Sequence, residues 1–167
     1  MQTDYSLTKE QKENLDKFAK RFEIKNLKTF RGMEGSGVNS TLYENGKKLC
    51  NCDDDAWGGP MNFSDNKTQK RLDKELAKLI GKVKFDAIDN METEYDAECF
   101  VNDLIAKADE NKQLKSKCKK NVLVLTTDCK SGQYLQYTKM IYHALTRPLL
   151  EKKLGNKLVE IINERFI

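Results

Sequence analysis

The sequence predicts an α+β protein with an antiparallel sheet of about five or six strands and about four helices, in a single domain. Two strand-like runs flank Asn45-Gly46, the dipeptide that best tolerates the two positive φ angles of a two-residue hairpin turn. Other segments carry apolar residues three and four positions apart, which indicates helices. The length of 167 residues and the 34% share of charged residues fit one domain with a heavily charged surface.

The composition favours a protein of the cytoplasm. Five cysteines are an odd number, which argues against a closed disulfide framework and indicates free thiols in a reducing compartment. The first residues lack the apolar segment of a signal peptide, and no apolar run approaches the ~20 residues that span a bilayer. We therefore expect no membrane partner. The formal net charge of +4 permits nucleic-acid binding but does not demonstrate it.

The first helix is expected over residues 7–22. Thr8 and Gln11 have the spacing of a capping box, in which each satisfies a main-chain N–H of the other. The apolar residues that follow recur on one helical face. This pattern places the N-terminal helix against the core.

The region 27–63 is expected to form the hairpin around which the chain is organised. A plain two-residue turn at Asn45-Gly46 sets Leu42 opposite Leu49 and Thr41 opposite Cys50, which leaves neither face clearly apolar. Before the hairpin, the glycines at 32, 35 and 37 suit a bulge and a turn. The alternative is an anion-binding nest of main-chain N–H groups.

The end of the hairpin carries the candidate binding residues. Three carboxylates at 53–55 precede Trp57, but neighbours on a strand point to opposite faces, so only two of the three could converge on Mg²⁺ or Ca²⁺. A solvated acidic loop is the alternative, and we expect neither a bound metal nor a cofactor. The tryptophan either closes the core or, if exposed, anchors a partner. The predicted partner-binding residues are Trp57, Asp53, Asp55, Arg31 and Tyr43.

Two further helices are predicted at 66–80 and 93–118. Asn66 is expected to cap the first and Gly81 to end it, while Thr93 opens the second. Lysines crowd the end of the second helix, where they could bind phosphates or simply complement the negative end of the helix dipole. The candidate nucleic-acid-binding residues are Lys112, Lys115, Lys117, Lys119 and Lys120.

Residues 121–162 predict a β-hairpin, a short helix and a last strand. The return strand at 133–142 has apolar residues on both faces, which predicts a central place in the sheet. His143 is the only histidine, so centres with several histidine ligands are excluded. A Cys–His dyad would require Cys129, Cys50 or Cys52 to lie near His143 in the fold, with Cys129 the nearest candidate in the sequence. A zinc site would require the scattered cysteines to meet.

The segment 30–48 resembles a family of small α+β proteins encoded by bacteriophages. The resemblance rests on the pattern Phe-Arg-Gly-x-Glu-Gly-x-Gly-x-Asn-x-x-Leu-Tyr-x-Asn-Gly-Lys-Lys, and the segments 55–59 and 157–163 are also similar to that family. It implies an origin in a phage or mobile element but transfers no residue role. Small phage proteins without catalytic motifs often bind host machinery, including defence systems, so by analogy the resemblance implies an anti-CRISPR-like role.

These observations lead us to expect a non-enzymatic interaction protein that binds and inhibits a host nucleic-acid-targeting complex. Its partner would be a host protein or a ribonucleoprotein complex, with RNA as a further partner. One alternative is a protein that binds RNA or DNA by itself, which requires an available cationic surface. A metal-dependent hydrolase is the other, and it requires Asp53 and Asp55 to converge.

Overall fold

The computed structural model describes residues 5–33, 35–85, 91–130 and 132–167. In these residues the α+β class is confirmed, with four α-helices and antiparallel sheets. The expected single sheet is wrong, because the strands form three separate sheets of three, four and three strands. The chain divides into two compact units, Met1–Asp109 and Glu110–Ile167, and the single-domain organisation stays a prediction. No helix in the described ranges combines the length and the apolar character needed to cross a membrane.

The first unit is built on a four-stranded sheet of order β2-β3-β4-β5 and a three-stranded sheet of order β1-β6-β7. Its elements, with the full extent of the last helix, are β1 (Tyr5–Ser6), α1 (Lys9–Ala19), β2 (Phe22–Arg31), β3 (Ser36–Glu44), β4 (Lys47–Asp54), β5 (Asn62–Phe63), α2 (Asn66–Leu79), β6 (Lys82–Phe85), β7 (Met91–Glu94) and α3 (Ala97–Cys118).

All three helices contribute to the core of the first unit. Leu42 of β3 is fully buried in one cluster with Leu72 and Leu76 of α2, Phe100 of α3 and Leu15 of α1. One face of the four-stranded sheet is thus removed from water, and this burial of apolar surface is the main favourable contribution to folding.

A bulge at Leu49 gives β3 and β4 a different register from the expected one. Leu42 lies opposite Cys50, and Ser40 lies opposite Cys52. The extra residue moves each later side chain of β4 to the opposite face of the sheet. Cys50 and Cys52 therefore lie buried on the core face. The predicted facing was therefore wrong, although the turn itself has the expected positive φ angles, 49° at Asn45 and 79° at Gly46.

A second bulge interrupts β2, which is an edge strand of the four-stranded sheet. The pairing with β3 shifts between Lys25 and Lys28, and Asn26 has a φ of 54°. Asparagine tolerates this left-handed conformation better than most residues with a side chain. The bulge bends the strand and increases its twist.

One predicted helix cap is confirmed, and another is displaced by one residue. Thr8 and Gln11 form the predicted capping box, but the helix ends at Ala19 because β2 begins already at Phe22. Asp65 rather than Asn66 caps α2, since its carboxylate accepts two of the four main-chain N–H groups that the helix start leaves without partners.

The expected start of α3 at Thr93 is wrong. Thr93 lies opposite Val83 in the β6–β7 pair, and the helix begins at Ala97. The Asp96 carboxylate accepts the main-chain N–H of Cys99 at 2.9 Å, which is the contact of an N-cap.

The second unit contains the end of α3, a sheet and one further helix. Its elements are β8 (Asn121–Thr126), β9 (Leu135–Thr138), α4 (Thr146–Leu154) and β10 (Leu158–Ile161), with 3₁₀ turns at Gly155–Lys157 and Ile162–Phe166. The sheet order is β10-β8-β9, so the return strand is an edge strand and shorter than expected. The apolar β8 is central instead, with three fully buried residues, Val122, Leu123 and Val124.

Asn163 joins three segments of the second unit. Its Oδ1 accepts the N–H of Leu123 at 2.8 Å, and its Nδ2 donates to the carbonyls of Cys118 and Asn121 at 3.1 and 2.9 Å. The side chain is buried, and each of these bonds satisfies a group that would otherwise be costly to remove from water.

Gly37 is required by close packing on the outer face of the sheet. A Cβ at this position would lie 2.4 Å from Cζ of Phe30 and 2.7 Å from the carbonyl oxygen of Asp54. We expect Gly37→Ala to lower the free energy of unfolding by about 1–3 kcal/mol, as overpacking does. Denaturant unfolding measures the change. Gly59→Ala is the matched control, because its Cβ would meet nothing within 4 Å, and equal losses in both variants would contradict the prediction.

The Asp103 carboxylate in α3 accepts hydrogen bonds from the hydroxyls of Tyr5 and Tyr95. The pKa of both tyrosines lies above the ordinary value of 10.0, mainly because the hydroxyls are buried and also because the Asp103 carboxylate is close to them. An unfolded chain therefore loses these protons first, and stability falls as the pH rises above about 10. We expect Tyr95→Phe to lose about 1 kcal/mol at neutral pH and to show a smaller alkaline loss in denaturant unfolding. Parallel pH profiles of variant and wild type would refute this.

Candidate partner-binding site

One end of the four-stranded sheet presents large apolar side chains to solvent. Phe30, Met33 and Trp57 are 40%, 79% and 62% exposed. They lie at the end of β2, in the β2–β3 turn and in the loop that follows β4. We call this surface the tip and define it as Phe30, Arg31, Met33, Asp55 and Trp57.

Glycine brings the two loops of the tip together. A Cβ on Gly32 would lie 2.4 Å from the Cβ of Ala56, so the two backbones approach as closely as only glycine allows. The N–H of Gly32 donates to the carbonyl of Gly35 at 2.8 Å. This N–H closes the β2–β3 turn instead of facing an anion, which favours the bulge-and-turn interpretation over the nest.

The acidic run fixes the loop that carries Trp57. Asp54 Oδ1 accepts the N–H of Ala56 at 2.8 Å, and Asp55 Oδ1 accepts the N–H of Trp57 at 3.1 Å. Each carboxylate thereby closes a turn of the Asx type. The backbone beneath the indole is held by these two bonds, while the indole itself is exposed. Of the two alternatives left open by the sequence, the structure has the exposed tryptophan.

Asp53 and Asp55 lie in different parts of the structure, one in the sheet and the other in the loop. Asp53 lies opposite Asn39 and Asn62 in the sheet, whereas Asp55 is bonded to the loop backbone. Among the residues that the structure describes, no group of three His, Cys, Asp or Glu side chains could hold a metal ion. The hydrolase alternative therefore has no convergent ligand set in its support.

The structure brings together some of the predicted partner-binding residues and separates others. Arg31, Asp55 and Trp57 share the tip, and Asp53 is the last residue but one of β4, the strand that leads into it. Tyr43 lies toward the other end of β3, five residues beyond Val38, a rise of about 17 Å. There the Nζ of Lys25 lies 4.9 Å from its ring centroid.

Phe30 and Met33 belong to the tip although the sequence did not single them out. The signal that could have found Phe30 is Gly37, which lies directly opposite it and leaves room for the aromatic ring. Gly37 points to Phe30 only once the pairing of β2 with β3 is known.

The predicted nucleic-acid-binding lysines differ in their surroundings. Lys117 donates to the hydroxyl of Tyr134 at 2.7 Å. Lys112, Lys115, Lys119 and Lys120 are exposed, and no described carboxylate forms an ion pair with any of them.

The proposed Cys129–His143 dyad has no hydrogen bond between its members in the structure. The Cys129 sulfur contacts the Thr126 hydroxyl at 3.3 Å, and His143 Nδ1 accepts the N–H of Leu145 at 3.3 Å. Cys129 lines a cleft of about 490 Å³ at the connection that joins β8 to β9, and His143 is not among the residues that line it.

The surroundings of the five thiols shift their pKa values in different directions. The Thr126 hydroxyl and main-chain N–H groups lower the pKa of Cys129, whereas burial raises the pKa of Cys118 and raises that of Cys99 to about 12. Hydrogen bonding to Cys50 and burial raise the pKa of Cys52. The hydrogen bond with Cys52 lowers the pKa of Cys50, but Cys50 is buried and therefore shielded from reagents.

We expect iodoacetamide at about pH 7.5 to alkylate Cys129 first, because the thiolate is the reactive form. Peptide mass spectrometry at successive times measures the order of labelling. Cys129→Ser should remove the fast phase and leave the others unchanged. Earlier labelling of Cys99 or Cys118 would contradict the prediction.

Comparisons of the chain with protein-family models, with curated proteins and with solved structures found no match. The resemblance of residues 30–48 to phage proteins therefore stays a prediction. What the protein does has to be inferred from its own residues.

Proposed function

We propose that this is a non-enzymatic interaction protein that binds a host nucleic-acid-targeting complex through the tip and inhibits it. The observation that carries the proposal is Trp57, whose indole is 62% exposed on a loop fixed by two aspartate side chains. Tryptophan and arginine are the residue types most often found at the energetic centres of protein interfaces, and methionine and phenylalanine are also enriched there. The tip contains all four.

The tip is suited to binding because hydrogen bonds hold the loop that carries Trp57. Ordering a loop on association costs free energy that would otherwise strengthen binding. The bonds of Asp54 and Asp55 and the packing of Gly32 on Ala56 meet this cost in the free protein. Arg31 and Asp55 place opposite charges around the apolar centre, which favours one orientation of a partner.

The resemblance to phage proteins supports the class of partner. A small protein with an exposed anchor, and without a convergent ligand set among its described residues, fits a role that depends on occupying a surface. Blocking a complex that targets nucleic acid requires only such occupation. The partner is therefore proposed to be a protein or ribonucleoprotein of the host.

A second candidate is direct binding of RNA or DNA, which the exposed lysines near the end of α3 favour. Lys112, Lys115, Lys119 and Lys120 lack ion-pair partners among the described residues, so their charges are available to phosphates. Such binding must weaken steeply as salt rises, because each phosphate contact releases counterions. Binding through the tip predicts a much weaker dependence on salt.

The experiment that tests the proposal is an affinity capture from host-cell lysate with and without RNase. Immobilised wild-type protein is compared with Trp57→Ala and with Leu149→Ala, an exposed apolar residue in the second unit. A host protein that survives RNase and is retained by Leu149→Ala but lost by Trp57→Ala supports the proposal. Recovery of nucleic acid alone would replace it with the second candidate.

We expect Trp57→Ala to weaken binding of the captured partner by about tenfold or more, as truncation at an interface centre does. Stability should change by less than about 0.5 kcal/mol, since the side chain is exposed. Titration calorimetry and denaturant unfolding of the same two proteins measure both quantities. Unchanged affinity would exclude the indole as the anchor.

A further inference from the structure

A groove in the second unit combines an apolar floor with a basic rim. It lies between the end of α3 and residues 163–167 and has a volume of about 330 Å³. Its apolar lining includes Cys118, Ile141, Phe166 and Ile167, and its rim includes Lys115 and Lys119.

The apolar floor is only partly covered by the protein itself. Ile141 is 67% and Ile167 is 87% exposed, while Phe166 and Cys118 are half-buried. Exposed apolar side chains that share one concave surface are typical of a place where another molecule packs.

The charges around the groove leave the two lysines unmatched. Arg147 is bonded to Glu164, and Arg165 is bonded to Glu160 at 2.5 Å. These carboxylates are thus already paired with arginines. Lys115 and Lys119 have no carboxylate partner among the described residues, so a ligand that supplies negative charge is favoured at this rim.

The polar side-chain atoms of Tyr142 and Asn163 on the floor are already hydrogen-bonded. The Tyr142 hydroxyl donates to Glu164 at 2.7 Å, and both polar atoms of the Asn163 side chain are bonded to the backbone. Recognition of a nucleotide base needs free donors and acceptors for its edge, and the groups of these two side chains are used. The floor can therefore contribute apolar contact, and the charge that selects a ligand must come from the lysines of the rim.

We propose that this groove binds an acidic peptide segment of a partner protein. An apolar side chain of the peptide packs on Ile141, Phe166 and Ile167, and carboxylates on either side of it pair with Lys115 and Lys119. An acyl chain fits less well, because a groove this exposed would leave one side of the chain in water. The groove shares no residue with the tip, and its proposed role does not depend on the function proposed for the tip.

The test is selection of a displayed random dodecapeptide library on the full-length protein. Enriched peptides are synthesised with a fluorescent label, and their affinity is measured by anisotropy. The double variant Lys115→Glu/Lys119→Glu reverses the charge of the rim, and Ile141→Asp places a charge on the floor. Lys9→Glu/Lys12→Glu is the control, because it makes the same change in net charge on exposed residues of α1. Circular dichroism establishes that each variant is folded.

The expected result is a set of peptides in which carboxylates flank an apolar residue. Both groove variants should weaken their binding by about tenfold or more, as loss of a close charge pair or of a buried apolar contact does, whereas the control keeps it. The proposal is overturned if no enriched peptide distinguishes the groove variants from the control. It is also overturned if Ile141→Asp has no effect and oligouridine displaces the peptides, since charge alone would then explain the binding.

Discussion

The first unit depends on which face of its four-stranded sheet is turned toward the helices. A single extra residue, Leu49, decides this for the second half of β4. With the bulge, Cys50 and Cys52 join Leu42 in the core, and the polar residues of the same strand face outward. Without it, the same sequence would direct asparagine into the core, where its amide would need partners. The buried core of this unit therefore rests on a local irregularity of the backbone.

The tip follows from this arrangement. β4 leaves the sheet beside the β2–β3 turn, and the loop after it packs against Gly32. The aspartates at this point are capping groups for the loop, because their oxygens accept its N–H groups. An acidic run that suggests a cation in the sequence thus acts as backbone support for an exposed indole. A carboxylate oxygen is an acceptor whether it binds a cation or a main-chain N–H group, so the same residues suit either role.

Features that are set by residues close together in the sequence could be predicted from it. Features that depend on the pairing of distant segments could not. The capping box of Thr8 and Gln11, the turn at Asn45-Gly46 and the helix end at Gly81 involve residues a few positions apart. Thr93 belongs to a strand only because Val83 lies beside it. The division into three sheets, the central place of β8 and the position of Phe30 over Gly37 likewise depend on strand order, which local periodicity does not specify.

The two surfaces described here would recognise partners by different physical means. At the tip, apolar contact around one large aromatic side chain is combined with a preordered loop. At the groove, unmatched lysines beside exposed isoleucines favour a ligand with negative charge. Asn163 contributes to the second surface indirectly, because it fixes the segments on which the groove is built. A protein with two such surfaces could contact two parts of one assembly, and the gain from linking them would depend on their spacing.

The bulge in β2 has a consequence for the behaviour of the protein at high concentration. β2 is a ten-residue edge strand, and an edge of that length is a template on which another chain could add a strand. Lys25 and Lys28 flank the irregularity. A bulge and edge lysines are both devices that hinder the pairing of a second strand. The feature that bends this strand thereby also opposes aggregation through strand addition along the sheet edge.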